Sequence, residues 1–280
     1  MDLIISDIHA DFTSLNRILN LVFDKQFEQK YGKISRILNL GDILNLGTKP
    51  KEVLKKLSYL EKNYEILSVM GNHDQAFFDN MILRKTSEES LRAHKMLSAN
   101  DLNFFKKNSN GTIGQDQIID SSTNISLFHG GPLNPNKIIP NNDTNNALYY
   151  QKTWQRISTI DEDFFHSSGF NYMPLTAFNE MKNFLKNFIL FCGHQHKEAI
   201  YEESNGNVEN LLKKIPSTNE KISNTILQSR KISIKKDKNY LIRIGLSGPE
   251  GSHNSVNISP HFGIFNKMNN EVFLFNFSKI

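Results

Sequence analysis

The sequence predicts an α/β fold in which helices flank a largely parallel sheet, with further strands closing a second sheet. Two observations predict it. Short apolar runs of strand length alternate with helical patterns over the first half of the chain, and the part from about residue 225 onward is rich in strand-like runs. The chain has 280 residues and no convincing linker, so we expect one domain over residues 1–280.

The strand-like runs are short and apolar, and glycine or polar residues follow most of them. This is the pattern of strands that are buried in a sheet. The runs are Leu3–Ser6, Ile34–Leu40, Glu65–Met70, Ile125–Phe128, Phe188–Cys192, Tyr240–Leu246, Phe262–Phe265 and Val272–Phe277.

Helical periodicity appears between these runs. Ser14–Phe27 places its apolar residues on one face, with Ser14 as a plausible N-cap, and Pro50–Lys62 repeats the pattern behind a proline suited to a first turn. Ser87–Lys107 predicts one long helix or two short ones, and Leu175–Lys186 predicts another helix. Two polar stretches, at about 132–172 and 202–238, are predicted to be insertions; the second ends in a basic, strand-like stretch (KISIKKDK) that is typical of an exposed hairpin.

Composition limits the location and the partners. The formal net charge is +4, from 33 basic and 29 acidic residues, which is too balanced to argue for a nucleic-acid partner. The one cysteine, Cys192, excludes an internal disulfide framework, fits a reducing compartment, and is expected to be a buried core thiol. No run approaches the roughly 18 apolar residues of a membrane helix. A cleaved signal peptide would remove Asp7 and His9, so we expect a cytoplasmic protein without a membrane partner.

Five short motifs rich in metal-ligand residue types follow strand-like runs. In open α/β sheets, ligands gather at the carboxyl ends of the strands, so the motifs are expected to meet at one edge. Their glycines permit sharp turns and close backbone approach. In chain order, the first to fifth motifs are Asp7-Ile8-His9, Gly41-Asp42, Gly71-Asn72-His73-Asp74, His129-Gly130-Gly131 and Gly193-His194-Gln195-His196.

Strand alternation predicts how some of these side chains point. Residues two apart in a strand face the same way, so Asp7 and His9 can reach one metal together, as can His194 and His196. If the third motif is extended, His73 lies on the opposite side of the backbone from Asn72. That position makes His73 a candidate general acid for a leaving oxygen.

The donor chemistry predicts a centre with two divalent metal ions. Mixed carboxylate, imidazole and amide ligands suit Mn²⁺, Fe or Zn²⁺ better than a metal selected by thiolates, and we expect Mn²⁺. With Asp7, Asp42 and a bridging hydroxide, two such ions leave a net charge of about +1, which attracts phosphate. The shared water would then supply a nucleophile at neutral pH.

The order of the five motifs resembles the calcineurin-like metallophosphoesterase superfamily. The resemblance spans residues 7 to 196, and the strand-rich tail is compatible with the same fold. It implies a four-layer αββα sandwich of two mixed sheets flanked by helices, with a dimetal site at the carboxyl edge of the strands. It also implies that Asp7, His9, Asp42 and His196 hold the first metal, that Asp42, Asn72, His129 and His194 hold the second, and that His73 is the catalytic histidine.

Two departures bear on the branch of that superfamily. The protein serine/threonine phosphatase branch carries G-D-x-x-D-R-G at the second motif, whereas this chain has Asn45 and Leu46 in place of the second Asp and the Arg. Asn45 could accept a hydrogen bond from His73 but brings no charge to stabilise an imidazolium. No Tyr lies there either, unlike in purple acid phosphatases. Small bacterial phosphodiesterase-like members are favoured, and Ser247–Ser252 with Phe262–Phe265 loosely resembles their turn and final strands.

Several further residues have two interpretations. Asp74 orients a neighbour or caps the helix that follows. Tyr149, Tyr150 and Trp154 pack a helix, or cap the metals and stack a nucleobase, with Arg156 touching a phosphate. The remaining histidines are expected to be structural or exposed; they are His94, His166, His253 and His261.

The sequence therefore predicts a hydrolase: a metal-dependent phosphoesterase acting on a small phosphodiester or nucleotide. Attack by a metal-bridged hydroxide would be followed by proton transfer from His73 to the leaving oxygen. The alternatives are a phosphomonoesterase, including one acting on phosphoprotein, a nuclease, and a catalytically silent scaffold. The presence of every ligand position and of His73 argues against the scaffold.

Overall fold

Helices and strands are stacked in four layers, in the order helix, sheet, sheet, helix. The computed structural model describes residues 1–83, 86–106, 113–160, 162–166, 168–250 and 259–277. One apolar cluster packs helices on the outer face of the first sheet, a second lies between the sheets, and a third covers the outer face of the second sheet. This arrangement confirms the predicted αββα fold class.

The elements are short, and each is numbered in chain order. The strands are β1 (Asp2–Ile5), β2 (Arg36–Asn39), β3 (Glu65–Ser68), β4 (Gln117–Asp120), β5 (Ile125–Phe128), β6 (Arg156–Ile157), β7 (Phe164–His166), β8 (Gly169–Tyr172), β9 (Ile189–Cys192), β10 (Ala199–Ser204), β11 (Asn207–Asn210), β12 (Thr218–Ile222), β13 (Thr225–Ser233), β14 (Asn239–Arg243), β15 (His261–Asn266) and β16 (Glu271–Phe277). The helices are α1 (Phe12–Val22), α2 (Lys25–Tyr31), α3 (Pro50–Leu60), α4 (Asn72–Phe78), α5 (Glu88–Lys95), α6 (Pro135–Ile138) and α7 (Pro174–Met181), with short 3₁₀ helices at Asp101–Phe104 and Thr144–Tyr150.

The first sheet has the strand order β12-β13-β16-β15-β1-β2-β3. Only β1, β2 and β3 run parallel; β15 pairs antiparallel with β1, and the remaining pairs are antiparallel. The strand-rich tail therefore mostly extends the first sheet. Our expectation that it closes a second sheet holds only for β14, because β13, β15 and β16 join the sheet of β1.

The second sheet has the order β11-β10-β14-β9-β5-β4, and its central strands β5, β9 and β14 run parallel. The predicted insertion at 132–172 contains a separate small sheet of β6, β8 and β7. The 202–238 stretch is largely strand, and it contributes to both large sheets. Its basic end is not a free hairpin, because Lys231 lies in β13 and pairs with Phe273 of β16.

Helix boundaries follow local capping chemistry. The Asp11 side chain accepts a hydrogen bond from Ser14 N, so Asp11, and not the predicted Ser14, is the N-cap of α1. The predicted helix Ser14–Phe27 is broken in two because the Asp24 side chain accepts from Gln26 N and starts α2. Ser87–Lys107 forms two short helices, α5 and the 3₁₀ turn, and its last residue lies outside the described part of the chain.

The topology places the five motifs at one edge. β1, β2 and β3 are neighbours in one sheet, β5 and β9 are neighbours in the other, and each of these strands ends within three residues of a motif. Both sheets thus present carboxyl ends to the same region. Within the described residues, no helix combines the length and the apolar character needed to cross a bilayer.

Candidate metal centre

The motifs converge into two clusters of potential metal ligands that share one carboxylate. In each cluster the ligand atoms lie within 4.8 Å of one another. The side chains come from both large sheets, so the centre lies where the sheets meet. The first cluster comprises Asp7, His9, Asp42 and His196, and the second comprises Asp42, His129 and His194.

The first cluster is tight. His9 Nε2 lies 3.0 Å from His196 Nε2, and His196 Nε2 lies 3.3 Å from Asp7 Oδ1. His9 Nε2 is also 3.8 Å from Asp42 Oδ2. Two imidazole nitrogens and two carboxylates therefore face a common point.

The second cluster is built around His129. Its Nε2 lies 3.2 Å from Asp42 Oδ2 and 3.1 Å from Asn72 Oδ1, which adds the amide oxygen of the third motif. The His129 and His194 rings meet edge to face, with centroids 5.0 Å apart. The structure thus brings together all seven residues predicted as ligands.

Backbone groups orient these ligands. His129 Nδ1 is 2.7 Å from Leu40 O, and His9 Nδ1 is 3.4 Å from Leu44 O. A proton on each Nδ1, donated to those carbonyls, leaves the Nε2 lone pairs facing the centre. Asp7 accepts hydrogen bonds from the Ser6 hydroxyl and from His194 N.

Five of the seven residues predicted as ligands reach the centre through left-handed backbone turns. Strand alternation is therefore not what brings Asp7 to His9 or His194 to His196, although the predicted pairs do lie together. Asp and His tolerate this conformation better than most residues do, and such conformations concentrate at functional sites. The φ angles are 54° for Asp7, 47° for His9, 55° for Asp42, 70° for His194 and 57° for His196.

The third motif is helical, so the extended backbone that would place His73 opposite Asn72 does not form. Asn72 and His73 occupy the first turn of α4, and His73 N donates to Asp42 Oδ1 at 2.8 Å. The His73 ring meets the His9 ring edge to face, with centroids 4.8 Å apart. His73 still lies beside the first cluster, as the prediction required.

Asp74 performs both roles considered for it. Its Oδ2 accepts from Gly71 N and caps α4, while its Oδ1 accepts from Ile43 N and Leu44 N and holds the second motif. Burial and the negative charge of Asp42 raise the pKa of Asp74 to about 7, against the effect of these N–H donors. Gly71 is required here, because a Cβ would lie 2.0 Å from Asp42 Oδ1.

Asn45 does not pair with the imidazole of His73. Its Nδ2 donates to the backbone oxygen of His73 at 2.8 Å, because the left-handed turn at Asn45 directs the amide toward the start of α4. His94, expected to be structural or exposed, is buried and accepts from Asn45 N at 2.8 Å, which is a structural role. Its polar role could have been suspected from a histidine on the buried side of α5.

Tyr150 and Trp154 lie in the core rather than over the metals. The Tyr150 ring stacks on Phe165, its hydroxyl donates to Asp143, and the side chain is buried. Trp154 is also buried and packs edge-on against Tyr149. The burial of both rings favours packing over stacking on a nucleobase, although Tyr150 lies in a 3₁₀ helix and Trp154 in the turn after it rather than in one α-helix.

The other side chains singled out from the sequence have simpler surroundings. Cys192 is fully buried in β9, and burial raises the pKa of its thiol to about 12, which fits the expected core thiol. His166 is exposed, whereas His261 is partly buried in β15 and bonds to Glu198. His253, together with Gly251 and Ser252 of the predicted turn, lies outside the described residues.

At the centre, burial and the neighbouring charges shift pKa values in opposite directions. Burial lowers the pKa of His9 to about 3 and that of His194 well below its usual value. Burial also acts to lower the pKa of His129, but the carboxylates of Asp42 and Asp7 raise it to about 9. Burial likewise acts to raise the pKa of Asp42, yet the neighbouring imidazoles hold it well below the usual range. A divalent cation binds ionised carboxylates and neutral imidazoles, so His129, which its raised pKa keeps protonated at neutral pH, would release a proton when an ion binds.

Unpartnered buried atoms indicate that the centre fits cations. His194 Nε2 is buried and makes no hydrogen bond within the described part of the chain, and buried Asp42 Oδ2 has only His129 Nε2, 3.2 Å away, as a close polar neighbour there. Leaving a buried atom such as His194 Nε2 unpaired costs about 1–3 kcal/mol, and coordination to a metal would relieve that cost. The donors are oxygen and imidazole nitrogen, which suits divalent ions of the Mn²⁺, Fe or Zn²⁺ class.

The chain is similar to several known proteins. An uncharacterized protein of Methanocaldococcus jannaschii is 26% identical over 248 residues, which are 88% of this chain and 75% of that protein. The fold is similar to a metallophosphoesterase from Sphaerobacter thermophilus (TM-score 0.58, 19% identity, 99% of this chain and 88% of that one). It is also similar to a protein serine/threonine phosphatase from Saccharomyces cerevisiae (TM-score 0.52, 15% identity, 100% and 80%).

Those two structural likenesses concern the fold alone, but the family model reaches further. The model of the calcineurin-like phosphoesterases matches residues 3–198, which include all five motifs and more than half of the chain. The chain therefore belongs to the calcineurin-like phosphoesterase family.

Proposed function

We propose that this protein is a dinuclear metal-dependent phosphoesterase that cleaves a small phosphodiester or nucleotide-type substrate. Membership of the family supports hydrolysis of phosphoester bonds. The observation that carries the proposal is the pair of ligand clusters sharing Asp42, with His73 beside them. A shared carboxylate is how a protein holds two cations close together despite their repulsion.

The metal assignment follows from the two clusters. Asp7, His9, Asp42 and His196 would hold one ion, and Asp42, Asn72, His129 and His194 would hold the other. Bound there, two divalent ions would activate a water molecule as nucleophile and polarise the phosphoryl oxygens. We propose Mn²⁺, with Fe or Zn²⁺ as alternatives.

His73 would donate the proton that the leaving oxygen needs. Its Nδ1 is buried without a hydrogen-bond partner among the described residues, so the half-buried imidazole would present Nε2 to the substrate. The backbone N of His73 donates a hydrogen bond to Oδ1 of Asp42, the ligand that both clusters share. The edge-to-face contact with His9 places the ring beside the first cluster.

Arg156 would bind a phosphoryl oxygen. Burial lowers the pKa of its guanidinium, whereas Asp42 and Asp7 raise it, so this charge lies within electrostatic reach of both carboxylates. Its Nε donates to Ser168 O at 2.9 Å, and the Nη groups make no hydrogen bond within the described part of the chain. Two free N–H edges match the oxygens of a phosphate.

A diester substrate fits the second motif better than a phosphoprotein does. Leu46, mostly buried, stands where protein phosphatases carry an arginine, and Asn45 brings no negative charge to His73. The site thus has fewer fixed charges for a dianionic monoester, while a diester carries one negative charge and requires a protonated leaving oxygen. The runner-up remains a phosphomonoesterase, including one acting on phosphoprotein.

A direct comparison of two substrates tests this preference. With the Mn²⁺-loaded protein, kcat/KM for bis-nitrophenyl phosphate should exceed that for nitrophenyl phosphate, and a phosphopeptide should be the poorest substrate. Removal of metal by a chelator should abolish turnover, and Mn²⁺ should restore it. A tenfold preference for the monoester or the phosphopeptide would establish the runner-up instead.

We further propose that residues 1–280 act as one domain in the cytoplasm, with 132–172 and 202–238 as insertions. The shared interior of the two sheets supports one domain, since strands from 199–233 join both of them. The small sheet of β6, β7 and β8 forms part of the first of these segments, which also carries Arg156.

A further inference from the structure

Gln195, the third residue of the fifth motif, pairs with the backbone of β6 as a neighbouring strand would. Its Oε1 accepts from Ile157 N at 2.9 Å, and its Nε2 donates to Ile157 O at 3.1 Å. Gln195 lies between His194 and His196, and the left-handed turns at both histidines direct these three side chains differently. Two side chains of the fifth motif therefore face the metal centre, and the third contacts β6.

Arg243 fixes the orientation of that carboxamide. Its Nη1 donates to Gln195 Oε1, and its Nε donates to Lys197 O at 2.6 Å. Arg243 is mostly buried at the end of β14. A flipped amide would point Nε2 at the guanidinium, donor against donor, so only one orientation satisfies both Ile157 and Arg243.

The residue held by this contact is the neighbour of Arg156. Ile157 packs into the apolar cluster on the outer face of the second sheet, and adjacent strand residues face opposite ways, so Arg156 faces away from that cluster. The pairing of β6 with β8, which aligns Arg156 with Asn171, holds the strand from its other edge. β6 has two residues, so it has little rigidity of its own, and Gln195 holds the neighbour of Arg156 on the edge that β8 leaves open.

We propose that Gln195 is a positioning residue that holds Arg156 beside the metal centre to bind a phosphoryl oxygen of the substrate. The inference rests on the proposed function and adds a residue to it. The carboxamide of Gln195 bonds to Ile157 and Arg243, so Gln195 would act through the backbone of Ile157. In this proposal, the turn that carries two metal ligands also aligns the phosphate-binding arginine, so metal binding and substrate binding depend on the same turn.

The test compares Gln195→Leu, Arg156→Ala and the double variant, with Gln228→Leu as the matched control. Gln228 lies in β13 and bonds to Ser217 and Asn276. With Mn²⁺-loaded protein and bis-nitrophenyl phosphate, Gln195→Leu should raise KM about tenfold, because a charge-assisted contact to phosphate is weakened, while kcat changes little. The double variant should be no worse than Arg156→Ala, since both act on one contact.

A second readout does not depend on turnover. Hydrogen exchange at the Ile157 amide should accelerate in Gln195→Leu, since its acceptor is lost, and remain unchanged in Gln228→Leu. The bound metal, measured by elemental analysis, should equal that of the wild type. A merely structural role would lower stability and kcat, and its effect would add to that of Arg156→Ala.

The outcomes separate the two proposals. Absence of turnover on every phosphoester by the metal-loaded wild type contradicts the proposed function, whatever Gln195 does. An active wild type whose KM is unchanged by Gln195→Leu, or effects that add fully in the double variant, overturns the positioning role.

Discussion

His73 is the residue whose role can be separated most cleanly from metal binding. It lies outside both ligand clusters found among the described residues, and its ring meets that of His9 edge to face. We expect His73→Ala to retain its bound metal while kcat falls by about 10² or more, the usual contribution of a general acid. The loss should be largest for a diester with a poor leaving group. Near wild-type turnover of such a substrate would rule out the assigned role.

Asp74 is the residue on which the local backbone depends most. Asp74→Ala leaves three buried N–H groups without an acceptor, those of Gly71, Ile43 and Leu44. We expect the free energy of unfolding of the metal-free protein to fall by roughly 3 kcal/mol or more, measured by urea denaturation. The control is Asp79→Ala, at an exposed position just after α4. Equal urea midpoints for the two variants would contradict the role of Asp74.

Residue types were readable from the sequence, but their backbone conformations were not. The ligand-type residues do meet, because carboxyl ends of neighbouring strands share an edge. Contacts between segments far apart in the chain set the left-handed turns at Asp7 and Asp42 and the helical start at Asn72. Sequence periodicity therefore does not predict these conformations. The same holds for Asn45, whose partner is the backbone of α4.

At the scale of elements, the turn after β14 supports the first motif. Ser247 N donates to Ser6 O, and Gly248 N donates to Asp7 O, both at 2.9 Å. A Cβ at Gly248 would lie 1.7 Å from Ile8 O, between two proposed metal ligands. The first motif therefore keeps its position only while residue 248 has no side chain.

Gly248→Ala should consequently weaken Mn²⁺ binding about tenfold or more, as loss of a supporting contact around a metal typically does. The measurement is the Mn²⁺ dissociation constant by calorimetry. Gly206→Asn is the control, because no atom lies within 4 Å of its Cβ position and Asn tolerates its positive φ. Unchanged Mn²⁺ affinity in Gly248→Ala would show that the first motif does not depend on this turn.

Apolar strands were predictable, while polar ones were not. The eight strand-like runs all correspond to strands, within two or three residues at their ends. Missed strands such as β11 and β12 are largely exposed and polar, so they lack the apolar signal; their hydrogen bonds to β10 and β13 hold them instead. These segments form strands because they pair with other strands, and a local sequence pattern does not predict such pairing.

At the scale of the whole molecule, an ion pair joins the two sheets. Arg36 of β2 donates to Asp120 of β4 at 2.6 Å, and also to Asp2 at 2.7 Å. Burial acts to raise the pKa of Asp120, but hydrogen bonds from Ser122, Arg36 and Thr123 outweigh it and hold that pKa below its usual value. The ionised form therefore stabilises the folded state above pH about 4, and this contribution is lost as the pH falls further.

Asp120→Asn should lower the free energy of unfolding by about 2 kcal/mol at neutral pH, and the difference from the wild type should shrink below pH about 4. Urea denaturation at several pH values measures it. Asp116→Asn, which removes an exposed carboxylate 3.7 Å from Lys152, should change stability by no more than about 0.5 kcal/mol. A pH-independent difference for Asp120→Asn would contradict the inter-sheet ion pair.

We expect the two sheets to hold two metal ions in one centre around Asp42. Elemental analysis of Mn²⁺-reconstituted protein measures this, comparing the wild type with Asp42→Asn, which keeps the shape of the side chain but removes its charge. The wild type should bind two ions per chain, and Asp42→Asn at most one, with loss of turnover. An active wild type holding one ion or none, or two ions bound by Asp42→Asn with unchanged affinity, would contradict it.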